Sequence, residues 1–296
     1  MDKKFLYRLS QLLAFVLGTK LLVVALLTIA LYISTFFLFN QEESFRNFVF
    51  DFRVHGIIFC SVLSIGAGGI INQFYDKEKD KVTRPFRTKI QSFLKQKYFL
   101  YAYIILNLVS LIVAFYISWR VFVFFIIYQF FMWLYSHKLS KILILNNMTF
   151  VSLTLYPFFG MLIYYQTFSM KIFLMATFLF GILLVIDILK DTLTKNVDEI
   201  FGYKTIPNCF SKNTTKLFIV SILLLLIVNS FFILTKNIQH SVMWCYYLLG
   251  ILLFAILIFY YNNSAKNSKY YIMNILRLWL FLGIIAMMID GIIMRV

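Results

Sequence analysis

The chain has 296 residues, of which 62% are hydrophobic, 20% aromatic and only 14% charged. A soluble globule is nearer half apolar, and runs of the roughly 20 apolar residues that a bilayer span needs recur from end to end. The chain therefore reads as an all-α polytopic membrane protein. The net charge of +16 does not point to nucleic acid, because the positive residues sit in short loops between apolar runs, where topology and anionic lipid headgroups account for them.

Lys3, Lys4 and Arg8 precede a long apolar run without a small-residue cleavage signature, which predicts a retained first helix. Nine spans are expected, at about 18–40, 54–75, 97–118, 120–136, 142–165, 171–190, 216–235, 242–260 and 272–294. Placing the N-terminus in the cytoplasm puts about 20 of the 28 Lys and Arg on that side and about 6 on the other, so the orientation is N-in and C-out across the cytoplasmic membrane. Lys20 and Arg277 fall within spans, and Asp290 is expected to snorkel to an interface. Cys60, Cys209 and Cys245 are too scattered for a disulfide framework or a zinc site; His55, His137 and His240 are equally scattered, against a haem or His-based site. The long loops, 76–96 and 190–215, are both cytoplasmic and rich in Lys, Arg, Asp and Asn. Across the membrane the sizeable connection is the one with Glu42, Glu43 and Asp51. Function should concentrate on the cytoplasmic face.

Span two ends in Asn72, Asp76 and Asp80, one oxygen-bearing side chain every fourth residue. Each such step on a helix turns about 40° beyond a full circle and rises about 6 Å. The three form a ladder of hard ligands suited to Mg²⁺ and its phosphates. Just inside it, Gly66, Gly68 and Gly69 predict close helix packing. Span six ends in a second ladder: at about 100° per residue, Asp187, Asp191, Thr194 and Asp198 share one stripe about 60° wide. The two host spans run in the same direction, four spans apart, which predicts one integral-membrane domain (1–296) built from two parallel pseudo-repeats, about 10–140 and 141–296. Two such clusters can hold Mg²⁺ that bridges a polyphosphate. Lys77, Lys81, Arg84 and Arg87 beside the first, with Lys190, Lys195 and Lys204 beside the second, would take the remaining phosphate oxygens.

Asn72-x₃-Asp76-x₃-Asp80 followed by Arg84-Pro85 resembles the first motif of the UbiA superfamily of intramembrane prenyltransferases. Lys190, Asp191, Asp198, Gly202, Thr205 and Pro207 keep the spacing of that family's second motif. Tyr135-Ser136-His137-Lys138-Leu139-Ser140-Lys141, with Asn147 after it, resembles the stretch joining its fourth and fifth helices. The nine spans and their orientation agree as well. Three departures stand out: Thr194 replaces the middle Asp of the second motif, Gln73 stands where Asp is common, and the Arg-Pro-x-Asn usual near helix one is absent.

The resemblance implies an enzyme with a nine-helix bundle, helical cytoplasmic loops capping its site, and Mg²⁺ as cofactor. It would move a prenyl group from its diphosphate to a lipophilic or aromatic acceptor in the membrane, as in lipid or quinone biosynthesis. Asn72, Asp76, Asp80, Asp191, Thr194 and Asp198 would bind metal and diphosphate. Lys77, Lys81, Arg84, Lys138, Lys141, Lys190 and Lys204 would hold phosphate oxygens, and Asp187 (or Asp80) would serve in acid–base work or behind the ligands. Tyr75, Tyr135, Asn147 and Tyr156 are candidates for the acceptor pocket or, for the aromatic ones, for stabilising an allylic cation. Lys20 and Arg277 would flank the acceptor entrance. The alternative is a prenyl-lipid binding or transport protein that retains the fold without turnover, with Thr194 as its warrant. No obligate protein partner is indicated.

Overall fold

The structure, a computed structural model, describes residues 3–40, 44–236, 241–263 and 268–295. Glu42, Glu43 and His240 lie outside them. The described residues are helical, without strands. Nine of their helices are long and apolar enough to cross a membrane: Leu21–Phe39, Phe52–Tyr75, Gln96–Ile117, Trp119–His137, Leu145–Tyr165, Met170–Ile200, Lys212–Leu234, Val242–Tyr261 and Ser268–Met294. Every expected span is present.

Chain-order labels run α1 (Lys3–Gly18), α2 (Leu21–Ser34, extended by a π turn at Thr35–Phe39), α3 (Phe45–Phe50), α4 (Phe52–Tyr75), α5 (Lys77–Thr83), α6 (Pro85–Gln91) and α7 (Gln96–Ile117). They continue with α8 (Trp119–His137), α9 (Leu145–Tyr165), α10 (Met170–Ile200), α11 (Ile206–Cys209), α12 (Lys212–Leu234), α13 (Val242–Asn263) and α14 (Ser268–Arg295). Two compact units share them: Met1–Tyr32 with Glu42–Ser140 and Tyr156–Met161, and Ile33–Gln41 with Lys141–Leu155 and Leu162–Val296.

The first unit is built on α4, which packs on α7 and α8. Its small residues permit close approach: a Cβ at Gly68 would run into Met132 of α8, and one at Gly69 would stand 3.2 Å from the carbonyl oxygens of Gly18 and Thr19 at the end of α1. Polar side chains then bond across the helices, as expected where lipid tails offer no hydrophobic drive to association. Ser64 and Ser110 hydroxyls lie 3.1 Å apart, and Gln129 donates to Ser64 Oγ at 3.3 Å. The chain breaks between α1 and α2, where Lys20 takes a positive φ of 52°. Thr19 helps to end α1 by donating back to the Phe15 and Val16 carbonyls. Lys20 therefore sits at a junction before the first span, a correction to its expected place inside it. Arg87 on α6 donates to the Leu17 carbonyl at 2.5 Å, meeting one of α1's terminal acceptors; burial pulls its pKa below the usual arginine value.

In the second unit α10 packs on α12 and α14, and α13 packs on α12 and α14. Serines start the helices as N-caps: Ser169 accepts from Ile172 N–H and Ser211 from Thr214 N–H. Asp290 does not snorkel. It is 7% exposed, and its Oδ1 accepts from Val242 N–H at 2.8 Å and Met243 N–H at 3.4 Å. Helix starts leave such N–H groups without intrahelical partners, and α13's are met by a carboxylate from α14.

Candidate active site

The second ladder, Asp187 to Asp198, lies wholly within α10, which continues past the expected span end at 190 to Ile200. The stripe read from the sequence is therefore a stretch of one continuous helix. Asp187, Asp191 and Asp198 are 3%, 5% and 0% exposed. Burying carboxylates is costly unless they are paired and hydrogen-bonded, and the second unit supplies the partners. Asn147 Nδ2 donates to Asp187 Oδ2 at 2.7 Å and Asp191 Oδ2 at 2.9 Å, joining two rungs of the ladder. Asn146 Nδ2 donates to the same Asp191 oxygen at 3.3 Å. Lys190 Nζ pairs with Asp187 Oδ1 at 2.5 Å and lies 3.8 Å from Asp191 Oδ1, its ammonium over the Phe150 ring. Thr194 donates to Asp198 Oδ2 at 2.7 Å, so the hydroxyl in place of an acid is engaged with the ladder.

The backbone before α9 is shaped to deliver the two asparagines. Ile144 has φ 65° and ψ −44°, and Leu145 N–H donates to the Leu143 carbonyl at 2.8 Å. This is a γ-turn of the positive-φ kind, strained for a β-branched residue. Such strain clusters at functional sites. Asn146 and Asn147 follow directly and are buried, and Asn147 N–H is held by Asn146 Oδ1 at 2.7 Å. Asn147 Oδ1 is buried without a hydrogen-bond partner. Carboxylate, amide and hydroxyl oxygens are the ligand set a hard cation such as Mg²⁺ takes, and this orphaned amide oxygen adds to it. Among the described residues no three His, Cys, Asp or Glu converge as a ready-made metal cage.

After α10, Gly202 takes the left-handed conformation, φ 72°, and Tyr203 N–H bonds back to the Asp198 carbonyl at 2.8 Å. This is the helix-stop geometry that glycine enters without steric cost. It turns the chain so that Lys204 N–H reaches the Lys141 carbonyl and the Lys141 ammonium lies over the Tyr203 ring, 5.4 Å from its centre.

The first motif differs from its straight-helix reading. α4 stops at Tyr75, and Asp76 joins it to α5 with φ −88° and ψ 6°. Asn72 Nδ2 donates to Asp76 Oδ2 at 2.8 Å, so these two rungs touch. Asp80 lies beyond the break, where its carboxylate is 3.5 Å from the Thr83 hydroxyl. It lines a cavity with Lys77 and Lys81, and neither Asn72 nor Asp76 takes part. Arg84, exposed, precedes Pro85 at the first turn of α6, where proline's missing N–H costs nothing. Tyr75 packs edge-on against His137, whose ring stacks on Trp133. Tyr135 is half-buried and Lys138 exposed on the same unit. Tyr156 stacks on Tyr128 at 4.6 Å and donates its hydroxyl to the Phe124 carbonyl at 3.2 Å, within an aromatic stack. Arg277 is exposed, 3.4 Å from Asn274.

Asn146 and the aromatic pair Trp133–His137 escaped the sequence reading. The adjacent polar pair Asn146-Asn147 entering an otherwise apolar run was the available signal for the first, and the i,i+4 spacing of Trp133 and His137 for the second.

The profile of the UbiA prenyltransferase family matches residues 44–282. Among solved structures, the chain is similar to that of a digeranylgeranylglyceryl phosphate synthase, with 18% identity, a TM-score of 0.71, and coverage of 95% of this chain and 99% of that one. It is also similar to a UbiA homologue from Archaeoglobus fulgidus bound to GPP and Mg²⁺, with 14% identity, a TM-score of 0.67 and coverage of 94% and 99%. The same homologue bound to DMAPP and Mg²⁺ matches with 13% identity, a TM-score of 0.67 and coverage of 94% and 98%. No curated protein matches the chain.

Proposed function

The chain belongs to the UbiA prenyltransferase family, and on that premise we propose that it transfers a prenyl group from a prenyl diphosphate to a lipophilic or aromatic acceptor, with Mg²⁺. The observation that carries this reading is the buried row Asp187, Asp191 and Asp198, the first two held by Asn147 and Lys190 and the third by Thr194. The solved homologue that binds GPP or DMAPP with Mg²⁺ supports the same class of donor here.

Asp191, Asp198, Thr194 and the Asn147 amide oxygen would hold Mg²⁺ in the second unit, and Asn72 with Asp76 in the first. Bound Mg²⁺ supplies charge neutralisation of the diphosphate as it leaves. The reaction breaks the bond between the allylic carbon and the diphosphate oxygen, whose electron pair departs with diphosphate. The acceptor's nucleophile bonds to that carbon and loses a proton. Asp187 has both oxygens engaged, one by Lys190 and one by Asn147, which favours a positioning role for it over a proton acceptor. Lys77, Lys81, Arg84, Lys138, Lys141, Lys190 and Lys204 are the cations assigned to phosphate oxygens. Tyr75 and its His137–Trp133 neighbours offer aromatic faces that exclude water and favour cationic charge. The orientation assigned from the loop charges, N-in, puts both motifs at the cytoplasmic face.

Membranes containing the protein, incubated with labelled dimethylallyl or geranyl diphosphate, Mg²⁺ and a panel of acceptors, should form prenylated product and release diphosphate. Asp76→Ala and Asp198→Ala should each abolish release. Full activity in both would falsify the site, and tight donor binding without any Mg²⁺-dependent product would leave a binding protein in its place.

A further inference from the structure

Arg277 is a charge that the prenyl-transfer assignment leaves without a role. It stands nine residues into α14, about 13 Å along the helix and within a span. Its side chain is exposed, and its polar partner among the described residues is Asn274, whose Oδ1 accepts from Nη1 at 3.4 Å. A cation carried so far into a span is costly, and an amide oxygen does not neutralise it. Two electrostatic ties within the second unit fix its level. α14 packs along α10, and the two are antiparallel. Lys269 near the start of α14 lies within electrostatic reach of Lys195 near the end of α10, and Lys171 at the start of α10 within reach of Asp290 near the end of α14. Eight residues on from Lys269 is Arg277, and eight back from Lys195 is Asp187. From the other tie, thirteen residues back from Asp290 and thirteen on from Lys171 bring Arg277 level with Leu184. Arg277 therefore stands at the level of the ladder's deepest rung. Asn274, three residues earlier, draws the guanidinium toward that rung.

The flank matters as much as the level. Lys269, Met273 and Arg277 recur every fourth residue, one row along α14. Lys269 at its foot meets α10, Met273 is 5% exposed and Arg277 is exposed, so the row leaves the helix contact at the guanidinium. Charge then selects the occupant. Asp187 has both oxygens engaged, by Lys190 and Asn147, and Asp191 Oδ2 accepts from Asn146 and Asn147. The donor's diphosphate belongs with the metal ligands nearer the end of α10. The planar fork of a guanidinium matches the paired oxygens of a carboxylate or phosphate. We propose that Arg277, oriented by Asn274, binds an oxyanion on the prenyl acceptor, which narrows the acceptor to an amphiphile bearing a carboxylate or phosphate. This rests on the prenyl-transfer reading and names the acceptor class for it.

The test gives the full-length protein two anionic acceptors beside their neutral counterparts: a phenolic carboxylate with its methyl ester, and an alkylglycerol phosphate with the alkylglycerol. One anionic member should be preferred over its counterpart at least tenfold in kcat/KM, and which one it is names the oxyanion. Arg277→Gln should raise the KM of that acceptor at least tenfold and erase the preference, while the donor KM stays within twofold. Arg277→Lys, which keeps the charge without the fork, should recover part of it. A merely structural role would move both KM values together, and that result overturns the proposal. So does equal use of anionic and neutral acceptors. Phosphatidylglycerol retained by the wild type in native mass spectrometry and lost from Arg277→Gln, with the acceptor KM unmoved, would give the arginine to a bilayer phospholipid instead. Calorimetric binding of the acceptors without donor separates this site from the activity. Arg277-dependent binding without turnover in the wild type keeps the site and removes the enzyme; turnover without any binding preference removes the site and keeps the enzyme.

Discussion

At the residue scale, Asn147 is the side chain on which the second motif's geometry turns. It gives one proton to each of two buried carboxylates and keeps its own oxygen unpartnered. Groups that orient metal ligands are typically worth about 10–100-fold in metal affinity or activity. Asn147→Leu should therefore raise the Mg²⁺ concentration for half-maximal turnover by about that factor, measured by Mg²⁺ titration of product formation, while Asn146→Ala, which removes one longer bond, should cost less. Thr194 tests the departure from the family pattern. Because its hydroxyl donates to Asp198, Thr194→Ser should keep most of the activity. Thr194→Val, equal in shape but without the donor, should lower it, and equal rates for the two variants would remove the hydroxyl from the account.

At the element scale, three helix ends decide where functional side chains stand. The γ-turn at Ile144 starts α9 and delivers two asparagines; Gly202 stops α10 and turns Tyr203 and Lys204 back; the break at Asp76 separates Asp80 from Asn72. The packing of α4 rests on its glycines. Gly68→Leu would drive a side chain into Met132, and overpacking of this kind costs about 1–3 kcal/mol; a lowered thermal midpoint in detergent would register it. Asp290→Ala would strip the carboxylate from the start of α13, at a cost near the roughly 0.5–2 kcal/mol of a lost helix cap. Activity per folded molecule should persist in that variant, because Asp290 touches only the backbone of α13 in the bonds described.

At the scale of the whole molecule, the described helices are held by packing and by interhelical hydrogen bonds such as Gln129 to Ser64 and Asn147 to Asp187. Chelating divalent ions with EDTA should therefore abolish prenyl transfer and leave helicity, by circular dichroism, unchanged, and adding Mg²⁺ back should restore the rate. Loss of helicity on chelation would mean that the metal is structural. The charge excess belongs to this scale too: Lys and Arg crowd the loops at the ends of spans, where they meet anionic headgroups.

All nine spans, the helical character of the second motif and the family itself were legible in the residues alone. Hydrophobic runs must become helices in a bilayer, since no water is present to satisfy an open backbone, and an i, i+4 ladder on one unbroken helix needs no tertiary knowledge to be placed on a face. What the sequence could not decide was anything set by contacts across helices. That Asp290 caps α13 and does not snorkel, and that Asn146 joins Asn147 at the carboxylates, each depend on a partner distant in the chain. The division of the first ladder at Asp76 is the sharpest case. Periodicity assumes a straight helix. In the structure Asn72 and Asp76 touch each other, whereas Asp80 stands past the turn at Asp76, beside Lys77 and Lys81.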